Sequence, residues 1–387
     1  MTVSKNIKSQ NLLFVCFISI FVFYCILFPR DKMNLKQVFL VGAILTCYSA
    51  KNVNFRVPVS VFALGFIYPV LCIAYGLLRG STLASAISFS YVWLIILVFP
   101  GIQANHVSLI KPFILGTYTV ALIIDLIMLM DLTGIASIHS NPIALLFKQL
   151  GELQGLGKGA LSTFGYSIFY KTCPLIIVSY CYFISKKKYF LAFPLLLALF
   201  GCGTRANFLV ALFATAVLPV LTVKRKKYKI WIFIFICALT ILVLPEVFDM
   251  MTNLNSLKSG RSDIIKIKDM FIVSDILFSH IFNFLFGTGV GSGFMSYRGE
   301  FLRTFELSYI DYFRQTGLVG FIVLLTFIIR PIKWLYLNEK WLFVGYICYL
   351  LVSFTNPLLV TSTSFVLYLL VYSKFLQRKK LCSKSGG

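Results

Sequence analysis

A polar stretch at residues 246–306 collects Arg261, Asp263, Lys266, Lys268, Arg298, Glu300 and Arg303 and ends at Glu306, where an apolar run begins. A guanidinium group grips an oxyanion through two parallel hydrogen bonds, and a carboxylate nearby can take a proton from a hydroxyl. Two residues of the stretch stand out for that chemistry. Ser259-Gly260-Arg261-Ser262-Asp263 predicts a turn and a helix start with Ser262 as N-cap, which gives Asp263 a capping duty and leaves Arg261 as the better ligand candidate. Glu306 has an ordinary reading, an acid complementing the dipole of a helix capped by Thr304. Helical spacing, however, sets it on one face with Tyr309, Ile310 and Phe313, while Asp311 and Arg314 can pair on another. Glu306 is thus expected to be an unpaired acid.

Arg205 opens the apolar run 206–223 after Gly201-Cys202-Gly203-Thr204, a turn that its glycines permit. A charge near a membrane helix is costly, so it either meets a partner or ligand or snorkels to headgroups, and Asp125 is a candidate structural partner. The cluster Gly287-Thr288-Gly289-Val290-Gly291-Ser292-Gly293 fits neither GxGxxG nor a P-loop, and no βαβ unit surrounds it. It reads as a loop connection, with an anion-binding nest as the alternative. The helix expected over 264–278 sets Ile264, Ile267, Phe271 and Ser274 on one face and Lys266 and Asp269 elsewhere, a pattern for lying along a membrane surface. His106, His139 and His280 match no metal-ligand spacing. The ten cysteines contain no CxxC pair and lie mostly inside apolar runs, so they read as buried hydrophobes, and no metal site or cofactor is expected.

The elements that must position these residues are membrane helices. Of 387 residues 59% are hydrophobic and 13% charged, with a mean hydropathy of +0.89, more apolar surface than a soluble core hides. The runs lack the period-two alternation of a membrane barrel, so the expected class is all-α: a single polytopic domain over 1–387. About twelve spans are expected, centred near 20, 43, 68, 91, 121, 175, 195, 214, 237, 320, 348 and 367. Lys5 and Lys8 before the apolar run 12–28 imitate a signal peptide, yet no small-residue cleavage site follows, and a retained first helix is expected.

The net charge of +23 comes from clusters such as Lys186-Lys187-Lys188 and Lys224-Arg225-Lys226-Lys227 between apolar runs, which is the positive-inside pattern and argues against nucleic acid. An even span number puts both termini on one side. With that side cytoplasmic, 21 of the 36 Lys and Arg face inward, and the opposite orientation would place every dense cluster wrongly. Residues 131–160 and 246–306 then form two outer loops, the second between the ninth and tenth spans, and the turn before Arg205 faces the same side.

Gly203-Thr204-Arg205-Ala206 opening a span, Ser259-Gly260-Arg261 early in the long loop, Gly287-Thr288-Gly289 later, and Glu306 to Gly320 closing it resemble, in that order, the O-antigen polymerase and ligase superfamily. The resemblance covers roughly residues 200–320. It implies an enzyme of the bacterial inner membrane, both termini cytoplasmic, that takes a glycan from undecaprenyl pyrophosphate and passes it to a sugar hydroxyl on the periplasmic face without metal or nucleotide. The ligases carry a histidine where this chain has Glu306, and that departure favours a Wzy-type polymerase of lipid-linked repeat units for O-antigen or capsule. The ligase remains the alternative, and a flippase or other transporter the third reading. In this scheme Arg205 and Arg261 hold the pyrophosphate, Glu306 takes the acceptor proton or orients the acceptor sugar, and Arg298, Arg303 and Tyr309 are candidates for sugar or phosphate contacts. The implied partners are the lipid-linked oligosaccharides, the bilayer and a polysaccharide chain-length regulator.

Overall fold

The computed structural model describes residues 12–31, 34–49, 58–158, 165–222 and 265–384; of Gln154, Lys158, Arg205 and residues 377–384 it describes the backbone alone. The chain is mostly helical. Eleven of the twelve expected span positions fall in apolar helices, and the ninth, near 237, lies outside the described residues. Among the described residues four helices are long and apolar enough to cross a membrane: Val59–Leu78, Leu83–Ala104, Ile110–Leu132 and Ser308–Asn338. In the other seven the apolar stretch found among the described residues is 10–17 residues long. Apolar runs fold this way because a helix satisfies its backbone donors and acceptors within itself, which a segment out of water requires.

Two compact units are present. The first holds residues 1–116, 289–292 and 360–387. Its helices are α1 (Leu12–Leu27), α2 (Leu35–Ser49), α3 (Val59–Leu78), α4 (Leu83–Ala104) and the later α15 (Ser362–Lys384). Asp31 holds the α1–α2 corner: its carboxylate accepts from the amides of Leu35 and Lys36 at 3.1 and 2.8 Å and from the Tyr24 hydroxyl at 3.1 Å. In the same unit Gly76 of α3 leaves room for Val290, whose carbonyl would lie 2.6 Å from any Cβ there.

The second unit covers residues 117–288 and 293–359. It comprises most of α5 (Ile110–Leu132), α6 (Pro142–Gln149), α7 (Cys173–Ser185), α8 (Tyr189–Gly201), α9 (Arg205–Thr222), α10 (265–278), α11 (Ile281–Phe286), α12 (Ser308–Ile329), α13 (Ile332–Asn338) and α14 (Lys340–Thr355). Two antiparallel hairpins accompany the helices, β1 (Leu153–Lys158) with β2 (Tyr166–Tyr170) and β3 (Phe294–Met295) with β4 (Phe301–Leu302). Residues 131–160, expected as an outer loop, thus contain a short helix, with Asn141 capping the amides of Ile143 and Ala144, and a strand.

α7 lies at the centre of this unit, buried along nearly its whole length. Gly345 of α14 would place a Cβ 2.9 Å from the Val178 Cα, so only a glycine lets the two backbones approach so closely. Hydroxyl pairs add cross-ties, Thr117 to Ser179 at 2.6 Å and Tyr180 to Thr215 at 2.8 Å. The site described below sits elsewhere in the unit, where α10, the β3–β4 hairpin and the start of α12 share a core of Val273, Leu277, Phe294 and Phe305.

Candidate functional site

The β3–β4 hairpin turns through Ser296-Tyr297-Arg298-Gly299. The Gly299 amide donates to the Ser296 carbonyl at 2.9 Å, and the Ser296 amide donates to the Glu300 carbonyl at 2.8 Å. Gly299 has φ of +74°, the left-handed position that a turn followed by a one-residue bulge needs. Asp269 of α10, 4% exposed, accepts the Tyr297 amide at 2.7 Å, and Lys268 places its ammonium 3.7 Å from the Tyr297 ring centre. Those two contacts fix the hairpin against α10. Between them opens a polar cleft of about 200 Å³ lined by Lys266, Asp269, Ser296, Arg298, Glu300, Thr304 and Glu306, with Ile265, Leu302 and Phe305 as its apolar wall.

Glu306 and Arg298 both line this cleft. The sequence reading of Glu306 needs two corrections. It is not unpaired, because the Lys266 ammonium lies 2.6 Å from its Oε2. Nor does it sit in a first helical turn: α12 begins at Ser308, with no side-chain cap at Leu307, so Thr304 caps nothing there. The Ser308 hydroxyl instead donates to the carbonyls of Ser353, at 2.7 Å, and Asn356, and accepts the Leu358 amide at 3.1 Å, tying the helix start to the end of α14. With side chains 33% and 58% exposed, the Lys266–Glu306 pair is solvated enough to contribute about 0–1 kcal/mol to stability. Its effect is to hold a carboxylate and an ammonium side by side at the cleft mouth.

Behind the cleft lies a buried polar cluster. Arg314, fully buried, donates to the Asp311 Oδ1 from Nε at 3.0 Å and Nη2 at 2.7 Å, to the Arg303 carbonyl at 3.2 Å and to the Thr288 hydroxyl at 3.4 Å. Gln315 donates to the other Asp311 oxygen at 3.0 Å, and the Arg314 guanidinium lies 5.1 Å from the Phe294 ring centre. The three-residue spacing of Asp311 and Arg314 was legible; their burial was not. Gly287 and Gly317 complete the arrangement. Their φ angles are +79° and +64°, a Cβ on Gly287 would lie 2.5 Å from the Gln315 carbonyl, and one on Gly317 would overlap the Gly287 amide. At this point the glycine cluster is a close backbone approach, and Gly317 breaks α12 into two helical pieces.

Arg303 and Tyr309 are not among the residues that line the cleft. Arg303 is exposed and enters the structure through its carbonyl. Tyr309 is half-buried, donates to the Leu350 carbonyl at 3.3 Å and packs on Phe354, which is a structural role. Arg261, Ser262 and Asp263 lie outside the described residues. Arg205 is the first residue of α9, after a turn in which Gly203 (φ +67°) presses on β2, where a Cβ would lie 2.6 Å from the Tyr166 carbonyl. Asp125, its candidate partner, has a buried Oδ1 without a hydrogen-bond partner among the described residues. Of the cleft residues, Lys266 and Glu300 stand in the charged stretch without an assigned role, and Asp269 and Ser296 carry no candidacy; forty positions separate Lys266 from Glu306, and no local pattern connects them. Among the described residues no group of three or more His, Cys, Asp or Glu is placed to hold a metal ion. The chain matches no family model, no curated protein and no solved structure.

Proposed function

We propose that the protein is a glycan polymerase embedded in a bacterial inner membrane, joining undecaprenyl-pyrophosphate-linked oligosaccharide units on the periplasmic side. The observation that carries this reading is the cleft in which Lys266, Arg298 and Glu306 converge ahead of the long apolar helix α12. The Glu306 carboxylate lines a cleft of about 200 Å³ that admits part of a sugar chain, where a carboxylate within reach of a sugar hydroxyl can take its proton.

In this scheme the acceptor hydroxyl oxygen bonds to the anomeric carbon of the donor sugar as the bond from that carbon to the diphosphate oxygen breaks. The diphosphate leaves with the electron pair, and Glu306 receives the hydroxyl proton. Arg205 and Arg261 are assigned to the diphosphate, whose charge grows as it leaves, so bidentate contacts to it strengthen in the transition state. Arg298 is assigned to the acceptor chain or its phosphate.

Deletion in the native host followed by electrophoresis of surface glycan tests the reading. A lipid core bearing one repeat unit is the expected result. Polymer retained on its carrier with a bare core would indicate a ligase instead, and single lipid-linked units trapped on the cytoplasmic side a flippase. Replacement of Arg205 or Arg261 by Ala should abolish polymer at normal protein levels; unchanged polymer would remove those residues from the mechanism.

A further inference from the structure

α10 has two faces with different surroundings. At 100° per residue Ile267, Phe271, Ser274 and Phe278 fall within about 60° of one another. Asp269, Val273 and Leu277 occupy a different side and are buried against the hairpin and α12. The first stripe is largely uncovered in the described structure: Phe271 is 61% exposed, and Ile267 and Phe278 are exposed as well, although Phe278 stacks on Phe284. α11 continues the surface with Ile281, Phe282 (67% exposed) and Phe286.

We infer that α10 and α11 lie in the bilayer interface, with this apolar surface in the acyl region and the cleft on the side of α10 away from lipid. Three observations on the same elements select lipid as the occupant. The surface is made of large aromatic and aliphatic side chains with lysines beside it on α10, the composition of a helix that lies in a membrane plane against anionic headgroups. It is continuous with a helix long and apolar enough to span: Phe278, Phe284, Phe313 and Phe321 follow one another at ring separations of 5.6, 5.7 and 5.5 Å, leading from α10 through α11 onto α12. α12 itself exposes Val319, Ile322 and Ile329 beyond that ladder. A helix is roughly 10 Å across, so a stripe in the acyl boundary sets Lys266 and Glu306, on another side of α10, near headgroup depth. The phosphates of a membrane-anchored donor lie at that depth, so this placement, which rests on the polymerase reading, adds the route by which the lipid-linked donor reaches the cleft: along the interface.

Photocrosslinking tests the placement without depending on activity. p-Benzoylphenylalanine is introduced in place of Phe271, Phe282, Ile322 or Arg298, one at a time, and the full chain is irradiated in vesicles of phosphatidylethanolamine and phosphatidylglycerol. Phospholipid adducts at 271, 282 and 322 with none at 298 are expected by mass spectrometry. Adducts at 322 alone, or crosslinked dimers from 271 or 282, would overturn the interfacial placement while leaving α12 in the bilayer. Absence of lipid adducts at 322 as well would remove α12 from the bilayer and take the proposed function with it.

Discussion

Two ion pairs of similar chemistry behave differently because of where they sit. Arg314 and Asp311 are buried, so removing one partner leaves a charge without compensation, at a cost of about 3–5 kcal/mol. Arg314→Met is therefore expected to lower the thermal midpoint in detergent and the amount of folded protein sharply, and Asp311→Leu combined with Arg314→Met should recover most of the loss. A double variant no better than the single one would show that Arg314 acts through Thr288 and the Arg303 carbonyl instead. The Lys266–Glu306 pair is half in solvent, and Lys266→Met should shift the midpoint by no more than about 1 kcal/mol in equivalent stability. Glu306→Gln, which keeps shape and loses the proton acceptor, should slow polymer formation by about 100-fold or more at unchanged thermal midpoint. Polymer of ordinary amount from Glu306→Gln would exclude proton transfer by this residue and leave it at most an orienting contact.

At the scale of elements the glycines separate into those that permit packing and those that permit a turn. Gly317→Ala would drive a methyl group into the Gly287 amide at a left-handed backbone position, so repacking of α11 against α12 and loss of folded protein are expected. Gly299 has φ of +74° but nothing within 4 Å of a built Cβ, so Gly299→Ala should cost only the conformational strain, about 1–2 kcal/mol. Comparable losses from both would mean that the loop tolerates Gly317→Ala by shifting. This contrast also marks what sequence could and could not convey. A glycine cluster in a polar stretch is visible as a string of letters. That Gly287 meets Gly317 thirty residues later is a tertiary fact, as is the meeting of Lys266 with Glu306. The Asp311–Arg314 pair was readable because helical geometry is local, whereas the start of α12 was misplaced by three residues because Ser308, bonded to Ser353, Asn356 and Leu358, fixes it from a distant segment.

For the whole molecule, apolar runs located eleven helices but not their lengths. A span needs roughly 20 residues, yet Cys173–Ser185 and Tyr189–Gly201, whose ends are both described, have 13 each: the turn at Lys186-Lys187 ends the first and the turn at Gly203 the second, where composition alone would continue the helix. Orientation rests on a different quantity, the distribution of Lys and Arg, which hydropathy does not report. The clusters at 186–188 and 224–227 and the basic residues after 373 predict one cytoplasmic side, with the turn before Arg205 and the cleft of Lys266 and Glu306 on the other. Fusions truncated after residues 187 and 379 should be fluorescent with green fluorescent protein and inactive with alkaline phosphatase, and fusions after 140 and 298 the reverse. Phosphatase activity at 187 together with fluorescence at 298 would invert the protein. The cleft would then face the cytoplasm, where nucleotide-linked sugars are available, and a donor on undecaprenyl pyrophosphate would lose its support. The two sites at 140 and 298 must also agree with each other, since an odd number of crossings between them would separate the β1–β2 hairpin, and the Gly203 turn packed on it, from the cleft that holds Glu306.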